Sequence, residues 1–416
     1  MFSRPVFSGP GRPARRVVRR RRAVAVPFTP LATTAAIVLL ASVLLGGCSS
    51  TDSASAVVCV SPGVSDRQVD LGVIYPQTGP ASGIFGAVRA GVDARLGAAN
   101  AAGGIHGRKV VYQWRDDQGT PQTNVAAAHD LVEQQHVFGV IGLSVAGPAS
   151  TAYLSQAGVP VTGTAYGQYG ANAVAVDTPG RFVYEQGGRR AVILQTALSR
   201  AVSNSAASYG RSLAAAGVQV LGAITYTDGV DDPAVVGRRI AQTGADTVIG
   251  VLAPRDLVTV VDAVRGGGYP LKAVLSASGY DHQLLRTVGP RMAGISIPVF
   301  YRPFELGGRG VQAYVDAMRR YAPQVAEPEQ DMAVAAYIST DMFLRGLALA
   351  GPCPTRSGFQ IALRTLNSYD ADGLISPISL RSAAGQTSAC YSFVQANAAG
   401  NGFVVVEPNL CGRELT

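Results

Sequence analysis

Lysine is nearly absent: Lys109 and Lys272 are the only two in a chain of 416 residues. Histidine occurs four times, at His106, His129, His136 and His282, with no CxxC or HxxxH spacing. So scattered a set predicts no metal site. Acid is missing from the N-terminal leader, where Arg4, Arg12, Arg15, Arg16 and Arg19 to Arg22 collect. Those eight arginines carry the whole net charge of +8, because the remaining 27 basic residues balance 27 acidic ones. Nothing basic is left to suggest nucleic acid as a partner. The first strand candidate is followed by PQTGP rather than GxGxxG, which argues against a dinucleotide-binding dehydrogenase.

What the leader does contain is informative. Pro27 and Pro30 precede an apolar run, LATTAAIVLLASVLL, Leu31 to Leu45. About 15 residues fall short of the roughly 20 that a spanning helix needs. A basic leader, a short apolar core and small residues at the exit describe a secretory signal. Leu45-Gly46-Gly47-Cys48 resembles the lipobox of bacterial lipoproteins, which implies cleavage before Cys48 and lipid on its sulfur. The alternative is a buried or reactive cysteine after a signal anchor. The four-arginine run suggests twin-arginine export, but the AVAV that follows fits that motif poorly, so the export route stays open. Residues 1–47 are read as the signal, and residues 48–66, small and polar, as a flexible tether.

Beyond the tether the pattern becomes regular. Val69 to Tyr75, Lys109 to Trp114, Val137 to Ile141 and Val159 to Val161 read as strands, separated by helices near Phe85 to Asn100, Gln122 to Gln135 and Ala149 to Ala157. A second run follows: strands at Val218 to Tyr226, Thr247 to Val251 and Leu271 to Leu275, with helices at Pro233 to Thr243 and Arg255 to Gly266. Strands alternating with helices at this spacing imply parallel βαβ units and an α/β fold of two lobes. Gly310 to Tyr321 and Met332 to Ala350 are amphipathic helices, and Tyr391 to Val406 is a hairpin with a Gly/Asn turn. Between Arg189 and Gly217 the only strand candidate is Ala201 to Asn204, so a shortened or irregular unit is expected there.

Besides Cys48 there are four cysteines, which reads as two disulfides in an exported chain. Cys59 precedes the first strand and Cys353 follows the end of a long helix, both at the edge away from a cleft. Cys390 and Cys411 flank the hairpin about Gly400. This layout favours Cys59–Cys353 with Cys390–Cys411 among the three pairings that four cysteines allow.

The ordered segments VDLGVIYPQTGP, FGAVRAGVDARLGAANAAGGIHGRKV, WRDDQGTPQTNVAAAHDLV and VFGVIGLSVAGPASTAYLSQAGVPV resemble the branched-chain amino-acid (Leu/Ile/Val) binding proteins of ABC importers. YDADGLISPISL, Tyr369 to Leu380, resembles a late segment of the same family. The resemblance covers nearly all of the chain after the tether and thins over Gly188 to Gly217. It implies the type I periplasmic binding protein fold: two Rossmann-like lobes with parallel sheets flanked by helices, joined by three crossover segments. Lobe one would be 67–177 plus 303–382, and lobe two 178–302 plus 383–416. Crossovers would fall at Gly180 to Glu185, Pro298 to Phe304 and after Leu380.

The family match implies ligand contacts at Phe85, Ser144, Ala165, Tyr166 and Tyr209. It also departs from the family. Ser278 stands where an acid would hold an ammonium group, with Asp281 three residues on as a substitute, and a further aromatic is replaced near Leu252–Ala253. The ligand expected is an amino acid, amide or small organic acid rather than leucine, isoleucine or valine in particular. Independently of the family, a serine after a strand often caps the next helix, and Phe85 and Tyr209 suit ordinary core equally well.

The expected activity is therefore solute capture without chemistry. A monomeric, lipid-anchored receptor on the outer face of a bacterial membrane would pass its ligand to an ABC permease, with no cofactor. A ligand sensor of the same fold is the alternative. A serine hydrolase is a third reading, because Gly142-Leu143-Ser144-Val145-Ala146 resembles G-x-S-x-G, but Ala146 replaces the last glycine and only His282 follows.

Overall fold

The computed structural model describes residues 59–79, 81–163, 176–196, 200–381 and 389–415. Its first half runs β1 (Gln68–Tyr75), α1 (Ser82–Phe85), α2 (Val88–Ala101), β2 (Lys109–Asp116), α3 (Pro121–His129), β3 (Gly139–Gly142), α4 (Thr151–Gln156) and β4 (Val161–Thr162). These strands pair in parallel in the order β2-β1-β3-β4. From Leu71 onward every residue of β1 is buried, as a parallel strand with both faces covered requires. Local chemistry sets the helix starts. Thr120 accepts the amide of Thr123 to cap α3, and Pro121 occupies its first position, where a missing N–H costs nothing.

The chain continues through α5 (Thr178–Glu185), β5 (Arg190–Gln195), α6 (Arg200–Ala215), β6 (Gln219–Thr225), α7 (Pro233–Gln242), β7 (Thr247–Val251), α8 (Pro254–Gly266), β8 (Ala273–Ser276), α9 (His282–Val288) and β9 (Ser296–Val299). Helices α10 (Arg309–Tyr321), α11 (Asp331–Leu349) and α12 (Arg356–Leu363) precede the hairpin β10 (Cys390–Ala396) and β11 (Phe403–Cys411). The second sheet has the order β11-β10-β9-β8-β7-β5-β6. Its strands β5 to β9 are parallel, and β10 runs antiparallel to both β9 and β11. The chain then crosses back, since α10 and α11 pack against α2, and α11 also against β3 and β4. By length and composition α11 could cross a membrane, but most of it is buried inside the protein.

Two expectations need correction. Gly180 to Glu185 is not an extended crossover but lies in α5, which Pro179 starts and which buries Phe182 and Val183. The Phe182 ring stacks on Phe393 of β10 at 3.8 Å. Between Arg189 and Gly217 the unit is regular rather than compressed. The strand is Ala191 to Leu194 within β5, held between β6 and β7, and Ala201 to Asn204 begins α6. Four apolar residues buried on both faces of a central strand carry no alternation to mark them as a strand.

Both expected disulfides form. Cys59–Cys353 ties the arm before β1 to the turn after α11, and Cys390–Cys411 joins facing residues of the hairpin. One cluster of buried side chains runs from Leu71 and Val73 of the first sheet, through Tyr301 and Tyr314, to Val248 and Val274 of the second. A separate cluster around Phe182, Ile193, Leu213 and Phe393 fills the other face of the second sheet.

Candidate functional site

In an open parallel sheet, ligands gather at the carboxyl ends of strands where neighbouring connections diverge to opposite faces. The first sheet has such a point between β1 and β3, and the second between β5 and β7. Phe85 lies on the connection after β1 and Ser144 on the one after β3, so the structure brings these two to one sheet edge.

The edge is built by hydrogen bonds. Asp116, ending β2, accepts the amides of Gln77, Thr78 and Gln118 on Oδ1 and the Thr78 hydroxyl on Oδ2. Burial works to raise this carboxyl, but the Thr78 hydroxyl and the three amides outweigh it and hold it below the usual range. Gly79 sits at φ +82°, and a Cβ there would lie 2.7 Å from the Gln118 carbonyl oxygen, so the tie between the two loops needs glycine. Asp117 is fully buried and receives the Gly119 amide and the Asn124 side-chain amide.

Ser144 is also fully buried, and its Oγ accepts the Ala146 amide at 3.0 Å. The hydroxyl therefore shapes its own loop. Phe85 belongs to the main buried cluster. Beside the exposed Gln77, Thr78 and Gln118, this edge presents two apolar side chains outward: Ile84 is 46% exposed and Val145 41%. Val145 and Ala81 both approach Gly119, so the three loops converge.

Ser278 follows β8 and is half-buried, and its carbonyl accepts the Ser276 hydroxyl at 2.6 Å. Asp281 caps α9, taking the amides of Gln283 and Leu284 on Oδ1, and it pairs as an antiparallel bridge with Gln330. Tyr209 lies on α6 against the second core cluster. Burial first, and then Tyr391 beside it, push its phenol upward. Ala165, Tyr166 and Cys48 lie outside the described residues. Ser144 and His282 are not hydrogen-bonded to each other among the described residues; the His282 ring instead meets Phe403 edge-on at 5.3 Å.

Sequence reasoning missed two groups. Tyr226 ends the β6 side of the second sheet, with its hydroxyl 3.4 Å from Asp228. Asp256, in the first turn of α8, is pushed up by burial and then by the charge of Asp228. The other group surrounds Tyr280, Tyr301, Glu305 and Asp331, and its one legible sign was an acid just before the apolar run of α11. Cavities of about 490 Å³ (with His282, Arg286 and Glu305), 300 Å³ (with Tyr301, Arg302 and Asn409) and 270 Å³ (with Arg95, Asp341 and Tyr369) open in the protein. None of these three is lined by Phe85, Ser144 or Ser278. The sheet edge, rather than one of these three cavities, is therefore the candidate site. Among the described residues no cluster of three or more metal-type ligands occurs.

Comparison with known proteins adds the rest. The Periplasmic binding protein family profile matches residues 68–401. Leu/Ile/Val-binding protein homolog 3 of Brucella melitensis is 37% identical over 101 residues, 24% of this chain and 27% of that protein. Leu/Ile/Val-binding protein BraC3 of Rhizobium johnstonii is 30% identical over 214 residues, 50% of this chain and 56% of that one. The chain thus spans about a quarter and about half the length of these curated relatives. A fatty acid ABC transporter substrate-binding protein from Thermomonospora curvata superposes with a TM-score of 0.71 at 19% identity, over 85% of this chain and 94% of that one. A profile match across most of the sequence, and two largely parallel sheets between which the chain crosses back, lead to one conclusion: the chain belongs to the type I periplasmic binding proteins.

Proposed function

We propose that this protein is an extracytoplasmic solute receptor, anchored by lipid on Cys48, that closes two halves around a small molecule and delivers it to an ABC permease. The halves are 67–177 with 303–382, and 178–302 with 383–416. The solute is an amino acid or a related small polar molecule. The loops carrying Phe85, Ser144, Ala165 and Tyr166 form its seat on one half, and the Ser278–Asp281 turn approaches from the other. The observation that carries this reading is the placement of the Phe85 and Ser144 loops on either side of the divergence between β1 and β3. Exposed Ile84 and Val145 give that seat an apolar wall. Ligand contacting both halves at once stabilises the closed form, so binding and closure are one equilibrium.

A thermal-shift panel tests it. L-leucine, L-isoleucine, L-valine, their amides, and short and medium-chain carboxylates are each added to the full chain. A binder present at 100 times its Kd adds about 2.7 kcal/mol to the folded state and raises Tm. A flat response across the panel overturns solute capture. Val145→Asp, which places a charge on the apolar wall, is expected to weaken whichever solute shifts Tm by about tenfold while leaving the ligand-free Tm within a few degrees.

A further inference from the structure

Helix α9 stands on the β8–β9 side of the second sheet, whereas α10 and α11 pack on α2 of the first. Four kinds of contact join them. Asp281 pairs with Gln330 through the backbone. Arg286 meets Glu327 at 2.6 Å. The Tyr280 hydroxyl donates to Glu305 and accepts the Phe304 amide at 2.9 Å. The Tyr301 hydroxyl donates to Asp331 at 2.8 Å. Aromatic rings run through the same place in an unbroken chain: Phe403 to Tyr280 at 4.9 Å, Tyr280 to Phe304 at 5.3 Å, Phe304 to Tyr314 at 6.0 Å and Tyr314 to Tyr337 at 5.2 Å. A cavity of about 490 Å³ opens beside them, with Glu327 and Glu329 on its wall.

We propose that this joint is a proton-responsive latch, holding α9 of one half against the α10–α11 side of the other and setting how readily the halves part. The idea rests on the two-half reading above. Its chemistry lies in crowded carboxyls. Asp331 is faced by Tyr301 and Tyr280, by Tyr314 of α10, and by Asp281 of the opposite half; Glu305 stands behind Tyr280 and Glu329 beside Tyr314. Burial, opposed by the Tyr301 hydrogen bond and reinforced by the Asp281 charge, raises Asp331 to about 6. Below that pH it is neutral and the Asp281–Gln330 bridge closes without repulsion. Above it two like charges face each other across the joint, and the joint loosens.

The test measures the separation of the halves in the full-length chain. Bio-orthogonal spin labels go at exposed Val235 on α7 and Ile361 on α12, and distance distributions are recorded at pH 5 and pH 8. The wild type is expected to gain a longer-distance population at pH 8. Asp331→Asn, which keeps an acceptor for Tyr301, gives the same distribution at both. Tyr280→Phe enlarges the open population about tenfold at both pH values. Glu327→Gln, at an ion pair exposed to solvent on both sides, enlarges it about twofold and weakens its salt dependence. A wild-type distribution identical at the two pH values, or a pH shift that survives in Asp331→Asn, overturns the latch. If pH and substitutions change nothing while L-leucine or octanoate still shortens the distance, the latch alone falls. If no member of the thermal-shift panel changes the distance either, the two-half reading falls with it.

Discussion

At Gly163 the backbone holds φ +143°, and a Cβ there would sit 1.8 Å from the carbonyl oxygen of Gly142. The end of β4 therefore lies against the end of β3, directly beside the Ser144 loop. Gly163→Ala is expected to cost about 2 kcal/mol or more in urea unfolding, because both conformation and space oppose it. Asp331 offers a second single-atom test, this one by pH. Its folded value of about 6 lies above the ordinary 3.8, so its favourable contribution is complete below pH 3.8 and is lost as pH rises through 6. The wild type should lose up to about 3 kcal/mol across that window relative to Asp331→Asn, so the two curves of stability against pH diverge upward from pH 4. Residues of this kind differed sharply in how far the sequence disclosed them. Ser144 was legible as a serine between a strand and a helix start. That its hydroxyl bends back to Ala146 was not, because the partner is a backbone amide that any sequence would supply. Asp331 gave only the sign of an acid before an apolar helix, while its pairing with Tyr301 depends on a tertiary approach that no spacing encodes.

Between elements, α2 and α11 approach at backbone contact. A Cβ on Gly91 would lie 2.0 Å from the Ala333 carbonyl oxygen and 2.9 Å from the Ala336 Cβ. Small residues on both helices let the backbones touch, and this contact fastens the returning part of the chain to the first sheet. Gly91→Val should therefore force the helices apart and lower the denaturation midpoint by the equivalent of about 3 kcal/mol. Gly83→Ala, at a position with nothing within 4 Å, should leave it unchanged. Both helices were legible as periodic apolar segments, with Gly103 and Gly104 marking the end of the first. Units with polar faces or clear caps, such as α7 behind Asp232 and Pro233, were equally plain. The failures cluster in α5 and β5. There the strand is a bare run of four apolar residues, and the helix, begun by Pro179, was too short to separate by period from an extended connection. Tertiary placement between β6 and β7 decided what local pattern could not.

Across the whole molecule, the alternation of strands and helices was enough to give two sheets. The crossing back of α10 and α11 to the first sheet became legible only through the family resemblance, since contacts between segments so distant leave no local signature. Cys59–Cys353 spans that return, with its cysteines 294 residues apart, while Cys390–Cys411 closes a loop of only 21. Cross-links restrict the unfolded chain more as the enclosed loop grows, by an amount that rises only logarithmically. The long bridge should therefore contribute about 6 kcal/mol and the short one about 3, if native strain is equal. The two also differ in place. Cys59 and Cys353 sit in the arm before β1 and the turn after α11, away from the edge that carries Phe85 and Ser144. Cys390, by contrast, lines the cavity of about 300 Å³ that also holds Tyr301 and Ser376, where the chain passes between the sheets. Replacing Cys59 and Cys353 together by serine should lower Tm while leaving the affinity for any solute found in the panel within about twofold. Replacing Cys390 and Cys411 should cost less Tm yet change that affinity more, because it frees a hairpin packed at the passage about which the halves would turn. Calorimetric titration of both double variants beside their melting curves separates the two effects. Equal losses of affinity in the two would show that the bridges act only through global stability.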